Sequence, residues 1–318
     1  MKISVLGAGA FGTSLAIALS RDGADVQLYA RDRKTADAMQ ATRKTSDKLP
    51  GYSLPDSLTV TSDLDALQSE ISLLAIPTQK LRGFLQTNAP KAPNLVACCK
   101  GIDRQTGLGP VDTIKTVCPN AKAAILTGPS FAVDIARGLP TALTLATEEE
   151  SIAETLQSHL TRPSLRLYRS TDVIGAELGG ALKNVIALAA GMAMGAGLGD
   201  SARASVVARG FAEITRYATA KGALLETVQG LSGLGDLVLT CTSDKSRNYL
   251  AGQAYGRSDL PDPTMTVEGS ATAQAIAEAA NALQIDMPLS QAVASVVTGE
   301  IDIQTAIQTL LSRPAGKE

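Results

Sequence analysis

The chain has 318 residues, of which 45% are hydrophobic and 19% charged, and its formal net charge is −2 at pH 7. This length allows two domains of ordinary size, and the composition excludes an intrinsically disordered chain. A chain so close to neutrality has no broad basic surface, so we expect no nucleic-acid partner. A small anionic ligand needs only a local cluster of cations and stays possible.

Several features are absent from the sequence, and their absence bears on where the protein is expected in the cell and on which chemistry its sites can carry. The first six residues run directly into a glycine motif without the apolar core of a signal peptide, and the most apolar stretch, residues 185–198, has only 14 residues. We therefore expect a cytoplasmic protein with no transmembrane segment. The 4 cysteines form no C-x-x-C pair and the single histidine is His159, so we expect no metal site and no histidine base.

The first half of the chain alternates apolar runs with helical stretches. The runs are rich in valine, isoleucine and leucine and lie at residues 3–6, 26–29, 71–76, 95–99, 123–126, 141–145 and 165–168. Such alternation predicts an α/β domain with a parallel sheet covered by helices. From about residue 171, long stretches rich in Ala, Gly and Leu predict an all-helical region. We place the boundary after residue 169, which gives a sheet domain of residues 1–169 and a helical domain of residues 170–318.

A glycine motif follows the first predicted strand and opens the first helix. Residues 7–12 read Gly-Ala-Gly-Ala-Phe-Gly, which matches G-x-G-x-x-G. In this setting Gly7 permits a tight turn, Gly9 lets the backbone approach a pyrophosphate, and Gly12 lets helix and strand pack closely. The motif predicts that the sheet domain is of the Rossmann type and binds a dinucleotide.

Arg31 and Asp32 follow the second predicted strand. An acidic residue at this place binds the adenosine 2′-hydroxyl of NAD, whereas a guanidinium suits the 2′-phosphate of NADP. Because Arg31 comes first, the sequence favours NADPH, and Asp32 keeps NADH possible. A solvated charge cluster is the alternative interpretation of these residues.

Two further segments follow predicted strands, where open α/β sheets bind ligands. Lys100 follows the strand at residues 95–99, and Gly128 with Ser130 follows the strand at residues 123–126. Ser130 also fits the N-cap of the helix that ends at Gly138. Capping and ligand contact are compatible, and this segment alone does not decide between them.

Lys183 and Asn184 interrupt a stretch of small and apolar residues in the helical domain. A buried ammonium costs several kcal/mol unless it is paired, so Lys183 either lies in a cavity beside a partner or extends to the surface. A lysine in a cavity can donate a proton to a carbonyl oxygen. Asp236, in a Gly-Leu-Gly-Asp-Leu run, is a candidate to hold Lys183 or to accept a substrate hydroxyl.

Ser246, Arg247 and Asn248 open another predicted helix. Their hydroxyl, guanidinium and amide donors would lie beside free backbone N–H groups, which is the composition of a phosphate site. Without Arg247 the same residues would be an ordinary helix cap.

The order of these motifs resembles bacterial-type glycerol-3-phosphate dehydrogenase, an NAD(P)-dependent family that reduces dihydroxyacetone phosphate for phospholipid synthesis. The likeness spans most of the chain, and its specific parts are the Gly-Leu-Gly-Asp-Leu run at 233–237, the Ser-Arg-Asn at 246–248 and the Val-Glu-Gly at 267–269. The resemblance implies that residues 1–169 bind NAD(P) and that residues 170–318 bind the substrate and carry the catalytic residue, Lys183. It implies that the substrate is surrounded by Lys100, Gly128, Ser130, Lys183, Asp236, Ser246, Arg247 and Asn248. The cofactor residues that it implies are the fingerprint glycines Gly7, Gly9 and Gly12 together with Phe11, Arg31, Lys100, Ala132, Arg247 and Glu268.

Three alternatives to this activity stay open. A two-domain dehydrogenase for a β-hydroxy acid or a ketopantoate-like substrate would take a carboxylate in place of a phosphate. A nucleotide-sensing module would bind NADPH without turnover and would not need Lys183, Asp236 and Arg247 together. A methyltransferase also uses a glycine-rich turn, but it has no use for the helical half. A homodimer is compatible with the sequence, as are both cofactors, NADPH and NADH.

Overall fold

The computed structural model describes residues 1–314, and these residues form two compact units. The sheet unit comprises residues 1–100 and 108–177, and the helical unit comprises residues 101–107 and 178–314. Residues 315–318 of the predicted helical domain lie outside the described residues. The boundary expected after residue 169 stays a prediction.

The sheet unit contains one sheet of eight strands in the order β3-β2-β1-β4-β5-β6-β7-β8. The strands are β1 Ile3–Leu6, β2 Val26–Tyr29, β3 Leu58–Thr61, β4 Ile71–Leu74, β5 Asn94–Ala97, β6 Lys122–Thr127, β7 Thr141–Ala146 and β8 Leu165–Ser170. The first six strands follow the order of a Rossmann sheet, in which the chain reverses direction across the sheet beside β1. The Rossmann-type fold is therefore confirmed, with a strand β3 that the sequence did not reveal.

One pair of strands departs from the predicted parallel sheet. β7 runs antiparallel to β6, whereas every other neighbouring pair is parallel. The connection between them, residues 128–140, contains only the short helix α5 Ala132–Arg137. Its six residues rise about 9 Å, less than half of the roughly 20 Å that a parallel return along a six-residue strand must cover. The chain therefore re-enters the sheet from the edge at which β6 ends.

Helices cover the sheet and divide its apolar side chains between two cores. The remaining helices of this unit are α1 Ala10–Ser20, α2 Arg33–Thr42, α3 Thr78–Thr87, α4 Pro110–Val117 and α6 Glu150–Leu160. Consecutive strand residues point to opposite faces, so Leu73 joins the core that contains α1 while Leu74 joins the core that contains α3. Both cores hold the carboxyl ends of the strands in place.

Glu177 caps the amino end of α4 from inside the sheet unit. Its Oε1 accepts the Val111 N–H at 2.7 Å, and a Cβ on Gly109 would collide with its Oε2. Burial raises the pKa of Glu177 to about 8, although the Val111 hydrogen bond opposes this shift. A carboxyl group at this place therefore holds a proton at neutral pH.

The helical unit is built around the long helix α7 Val173–Gly195, whose first residues belong to the sheet unit. The other helices are α8 Gly199–Ala220, α9 Leu225–Gln229, α10 Asp236–Cys241, α11 Arg247–Gly256, α12 Glu268–Ala282, α13 Pro288–Thr298 and α14 Ile303–Leu311, with a π-helical turn at Leu231–Gly235. Among the described residues of this unit no strand occurs, so the helical prediction is confirmed.

Small residues let α7 and α11 pack backbone against backbone. A Cβ on Gly191 would collide with the Tyr249 carbonyl oxygen, and one on Gly252 would collide with the Leu188 carbonyl oxygen. Gly191 of α7 and Gly252 of α11 therefore serve helix packing.

α7 is long and apolar enough to span a membrane by length and composition alone. It has 23 residues and includes most of the apolar stretch at residues 185–198. However, 83% of its apolar window is buried in the protein, which is typical of a core helix.

Candidate functional site

The glycine motif forms a turn whose three glycines meet different constraints. Gly7 has φ +120°, and a Cβ there would collide with the Ala75 carbonyl oxygen. A Cβ on Gly12 would collide with the Gly7 carbonyl oxygen, whereas a Cβ on Gly9 would have no protein atom within 4 Å. Gly7 and Gly12 are therefore required by the fold, and Gly9 is not.

The space beside Gly9 fits a dinucleotide phosphate. Gly9 is the N-cap of α1 and the helix has no capping side chain and no acidic residue in its first turn. The first backbone N–H groups of a helix lack intrahelical partners and attract anions. Phe11 and Gly12 lie in this first turn. The residues present thus fit a pyrophosphate at the place where the motif predicts one.

The carboxylate of Asp32 has a structural task. It is the N-cap of α2 and accepts the Thr35 N–H at 2.8 Å and the Thr35 hydroxyl at 2.6 Å. These hydrogen bonds hold the pKa of Asp32 below its usual value. Arg31 precedes it and is exposed. The arrangement favours the interpretation of Arg31, rather than Asp32, as the residue facing a ribose substituent.

Lys100, Gly128 and Ser130 meet at the carboxyl ends of β5 and β6. Lys100 Nζ donates to the Gly128 carbonyl oxygen at 2.9 Å, and Ser130 Oγ donates to the same oxygen at 3.1 Å. The alternative in which Ser130 caps α5 is wrong, because Phe131 occupies the N-cap and no side chain caps this helix. Ala132 begins the helix. The turn at Gly128, with φ +137°, directs the Ser130 hydroxyl back toward its own loop.

Lys183 is buried and paired, so the alternative in which it extends to the surface is wrong. Its side chain is 10% exposed, and Nζ lies 3.3 Å from Asp236 Oδ1. Nζ also donates to Thr240 Oγ1 at 2.7 Å. The Thr240 hydroxyl in turn donates to the Asp236 carbonyl oxygen at 2.6 Å. A carboxylate and a hydroxyl thus hold the ammonium in one orientation, which is the pairing that a buried charge needs.

The backbone before Asp236 explains how its carboxylate reaches Lys183. The π-helical turn at 231–235 widens the helix immediately before Asp236, and such turns are common at functional sites. Gly233 packs against the Val228 carbonyl oxygen, where a Cβ would collide, and Gly179 of α7 lies against Gly233. These glycines let the turn approach α7 one helical turn before Lys183.

The Ser246–Asn248 segment begins α11 as predicted. Ser246 Oγ accepts the Tyr249 N–H at 3.2 Å as the N-cap, and Arg247 is exposed. Asn248 is buried, and both atoms of its amide already have protein partners, Asn184 and Gly269. Glu268, half-buried, is the first residue of α12.

Metal chemistry has no candidate site in residues 1–314. No group of three or more His, Cys, Asp or Glu side chains there is arranged to hold a metal ion. The cysteines are free thiols, and burial raises the pKa of Cys241 to about 12. His159 lies on α6, where its Nδ1 is 2.8 Å from the Thr155 carbonyl oxygen.

The fold, the glycine fingerprint and the buried Lys183 together define the class of protein. A Rossmann sheet with a dinucleotide fingerprint, followed by a helical unit that buries a paired lysine, is the architecture of an NAD(P)-dependent oxidoreductase. The family follows from comparison with known proteins. Family models for the N-terminus and the C-terminus of NAD-dependent glycerol-3-phosphate dehydrogenase match residues 2–153 and 172–308. The chain belongs to this family.

Relatives and solved structures agree with this assignment. The chain is 54% identical to glycerol-3-phosphate dehydrogenase (NAD(P)+) of Roseobacter denitrificans over 321 residues, with 100% of each chain covered. It is also 54% identical to the enzyme of that name in Paracoccus denitrificans, again with 100% of each chain covered. The crystal structure of glycerol-3-phosphate dehydrogenase from Coxiella burnetii matches with a TM-score of 0.92 and 33% identity, covering 98% of this chain and 99% of that one.

Proposed function

We propose that this protein interconverts dihydroxyacetone phosphate and sn-glycerol 3-phosphate, with Lys183 as the proton-transfer residue. The observation that carries the proposal is the buried ammonium of Lys183, held 3.3 Å from Asp236 Oδ1 and 2.7 Å from Thr240 Oγ1. The reaction reduces a ketone to an alcohol, so a negative charge develops on the ketone oxygen and a proton must reach it. When bound, the nicotinamide cofactor supplies the hydride.

Lys183 is suited to protonate that oxygen. An ammonium is both an electrostatic partner for the developing charge and a proton source, and its effect is stronger in a buried site than in water. Asp236 and Thr240 restrict its orientation, so little reorganisation is needed during the reaction. In the direction of alcohol oxidation, the same amine would accept the hydroxyl proton.

The phosphate of the substrate finds suitable donors at the start of α11. Arg247 is exposed, lies in the first turn of a ten-residue helix, and follows the cap Ser246. A guanidinium beside helix N-terminal N–H groups binds a phosphate dianion by charge and by directed hydrogen bonds. We propose Ser246 and Arg247 as phosphate contacts and Asn248 as part of the same site. Lys100, Gly128 and Ser130 remain proposed substrate residues of the sheet unit.

The proposed cofactor site uses Gly7, Gly9, Phe11, Gly12 and Arg31. The first turn of α1 offers backbone N–H groups to the pyrophosphate, and Arg31 offers its guanidinium to a 2′-phosphate. We propose that NADPH is preferred and that NADH is also used. The other proposed cofactor contacts are Lys100, Ala132, Arg247 and Glu268.

The test is the oxidation of NADPH, followed at 340 nm, with a panel of carbonyl substrates. We expect turnover with dihydroxyacetone phosphate and little with dihydroxyacetone, because the latter lacks the group that Arg247 binds. Turnover with ketopantoate or another carboxylate, in place of the phosphate ester, would overturn the substrate assignment. NADPH binding without oxidation of any carbonyl compound would identify a sensing module instead. Repeating the assay with NADH measures the cofactor preference.

We also propose a cytoplasmic location, a homodimeric state and a supply of glycerol 3-phosphate to phospholipid synthesis. The supply role is the one that the family implies, and the small net charge of −2 agrees with a small-molecule substrate. Sedimentation of the purified protein tests the dimer.

A further inference from the structure

One buried amide joins three helices of the helical unit. Asn248 Nδ2, at the start of α11, donates to Asn184 Oδ1 of α7 at 2.9 Å. Asn248 Oδ1 accepts the backbone N–H of Gly269, in the first turn of α12, at 2.9 Å. Asn184 is 2% exposed and Asn248 is 9% exposed. The two asparagines and this N–H form a chain of hydrogen bonds that we call the amide chain.

The packing around the amide chain leaves no room for adjustment. A Cβ on Gly269 would lie 2.6 Å from the backbone carbonyl oxygen of Asn184 and 2.9 Å from the side-chain Oδ1 of Asn248. α7 and α11 also touch through the glycines described above, so their backbones cannot approach further. In a close-packed interior, the direction of each hydrogen bond therefore sets the position of the helix that carries it.

Each member of the amide chain directly follows a residue that we assign to the reaction. Asn184 follows Lys183, Asn248 follows Arg247, and Gly269 follows Glu268. Consecutive residues of an α-helix point about 100° apart, so one of each pair can face the interior while its neighbour faces another direction. The three buried members are thus placed to fix the three functional neighbours relative to one another.

We propose that Asn184 is a positioning residue, which acts through Asn248 to hold Arg247 and Glu268 in register with Lys183. This inference rests on the proposed function, because that function assigns the three neighbours. The Asn184 side chain orients the Asn248 amide, and the Asn248 carbonyl oxygen then holds the amino end of α12. Lys183 itself keeps its separate partners, Asp236 and Thr240.

The test is the Asn184→Ala variant, which removes the acceptor of the amide chain. We expect the Kd for NADPH, measured by fluorescence without substrate, to rise on the order of tenfold, because loss of one buried hydrogen bond has an effect of this size. The KM for dihydroxyacetone phosphate should rise by a similar factor, while kcat changes less than about threefold. Hydrogen exchange of the Gly269 N–H in the cofactor-free protein should accelerate on the order of tenfold.

Asn281→Ala is the matched control. Asn281 also lies on α12 and its Oδ1 accepts a hydrogen bond, from Gln291 at 2.8 Å, but the pair is exposed and far along the helix from Glu268. This variant should leave the Kd, the KM and the exchange of Gly269 unchanged. If Asn184→Ala does not fold, Asn184→Asp keeps an acceptor oxygen at the same place, and its Gly269 exchange should stay close to that of the wild type.

Two results would overturn the proposal. A higher KM for dihydroxyacetone phosphate with unchanged NADPH affinity and unchanged Gly269 exchange would show that Asn184 contacts the substrate directly. A lower melting temperature with an unchanged Kd for NADPH, an unchanged KM for dihydroxyacetone phosphate and unchanged exchange of the Gly269 N–H would show a purely structural role. The double variant Asn184→Ala/Asn248→Ala should bind NADPH no more weakly than Asn248→Ala alone, because both changes break the same chain. Binding and exchange need no turnover, so a failure of the proposed reaction would be seen separately, in the wild-type assay.

Discussion

The fingerprint glycines give a prediction that separates folding from ligand binding. Gly9→Ala places a methyl group in a space with no protein atom within 4 Å, and Gly9 has φ −75°, which alanine adopts freely. We expect its stability to change by less than about 1 kcal/mol. Gly12→Ala instead drives a methyl group into the Gly7 carbonyl oxygen, and overpacking of this kind costs roughly 1–3 kcal/mol or more.

The assay combines thermal unfolding with an NADPH fluorescence titration. For a domain of 150–250 residues, 1 kcal/mol shifts the melting temperature by about 2–4 °C. Gly9→Ala should therefore melt within about 4 °C of the wild type, yet bind NADPH at least about tenfold more weakly, which is about 1.4 kcal/mol. The loss arises because the methyl group occupies the space that the pyrophosphate needs.

Gly83→Ala is the control for the effect of a methyl group alone, because Gly83 is exposed on α3 and a Cβ there also meets no atom within 4 Å. It should bind NADPH as the wild type does. Unchanged NADPH affinity in Gly9→Ala would refute the assignment of the space beside Gly9 to the phosphates. Equal destabilisation of the Gly9 and Gly12 variants would refute the distinction between them.

Three further variants test charges. Arg31→Ala should weaken NADPH binding at least about tenfold and NADH binding less than threefold, because only NADPH carries the 2′-phosphate; equal losses in titrations would contradict this role. Arg247→Ala should raise the KM for dihydroxyacetone phosphate at least about tenfold but that for dihydroxyacetone little, and equal rises would remove the phosphate contact. Glu177→Gln tests how stability depends on pH. The pKa of Glu177 is about 8 in the folded state against an ordinary 4.5, so between these pH values the native state retains a proton that the unfolded state loses. The stability of the wild type should therefore fall as the pH rises across this window. At about 1.4 kcal/mol per pKa unit the total is a few kcal/mol, and denaturant unfolding should show a flatter pH dependence in Glu177→Gln; the same slope in both proteins would contradict it.

The central strands β1, β4 and β5 are buried on both faces, and their continuous apolar runs made them predictable. β3 and β8 are both edge strands in which polar and apolar residues alternate, but β3, Leu-Thr-Val-Thr, has only four residues against six in β8, and it was missed. The direction of β7 was missed because alternation of strands and helices does not encode strand direction. It depends on how far the short connection through α5 can reach.

The site was predictable where function depends on local chain geometry. The fingerprint turn and the Ser246 cap involve residues within a few positions of one another, and both are confirmed as local structures. Asp236 was predicted as a partner of Lys183 from its charge, whereas Thr240, 57 positions away from Lys183, is a neutral residue that no local pattern links to it. Asn184 was passed over for the same reason, since its bond to Asn248 joins residues 64 positions apart.

The most direct test of the account is the rate of NADPH oxidation by Lys183→Met with saturating dihydroxyacetone phosphate. Loss of a general acid typically slows a reaction by about 10²- to 10⁴-fold, so we expect a decrease in this range with NADPH affinity close to that of the wild type. The double variant Lys183→Met/Asp236→Asn controls for the unpaired buried carboxylate that the single change leaves. If either variant oxidises NADPH at the wild-type rate, Lys183 is not the proton donor and the proposed mechanism is wrong.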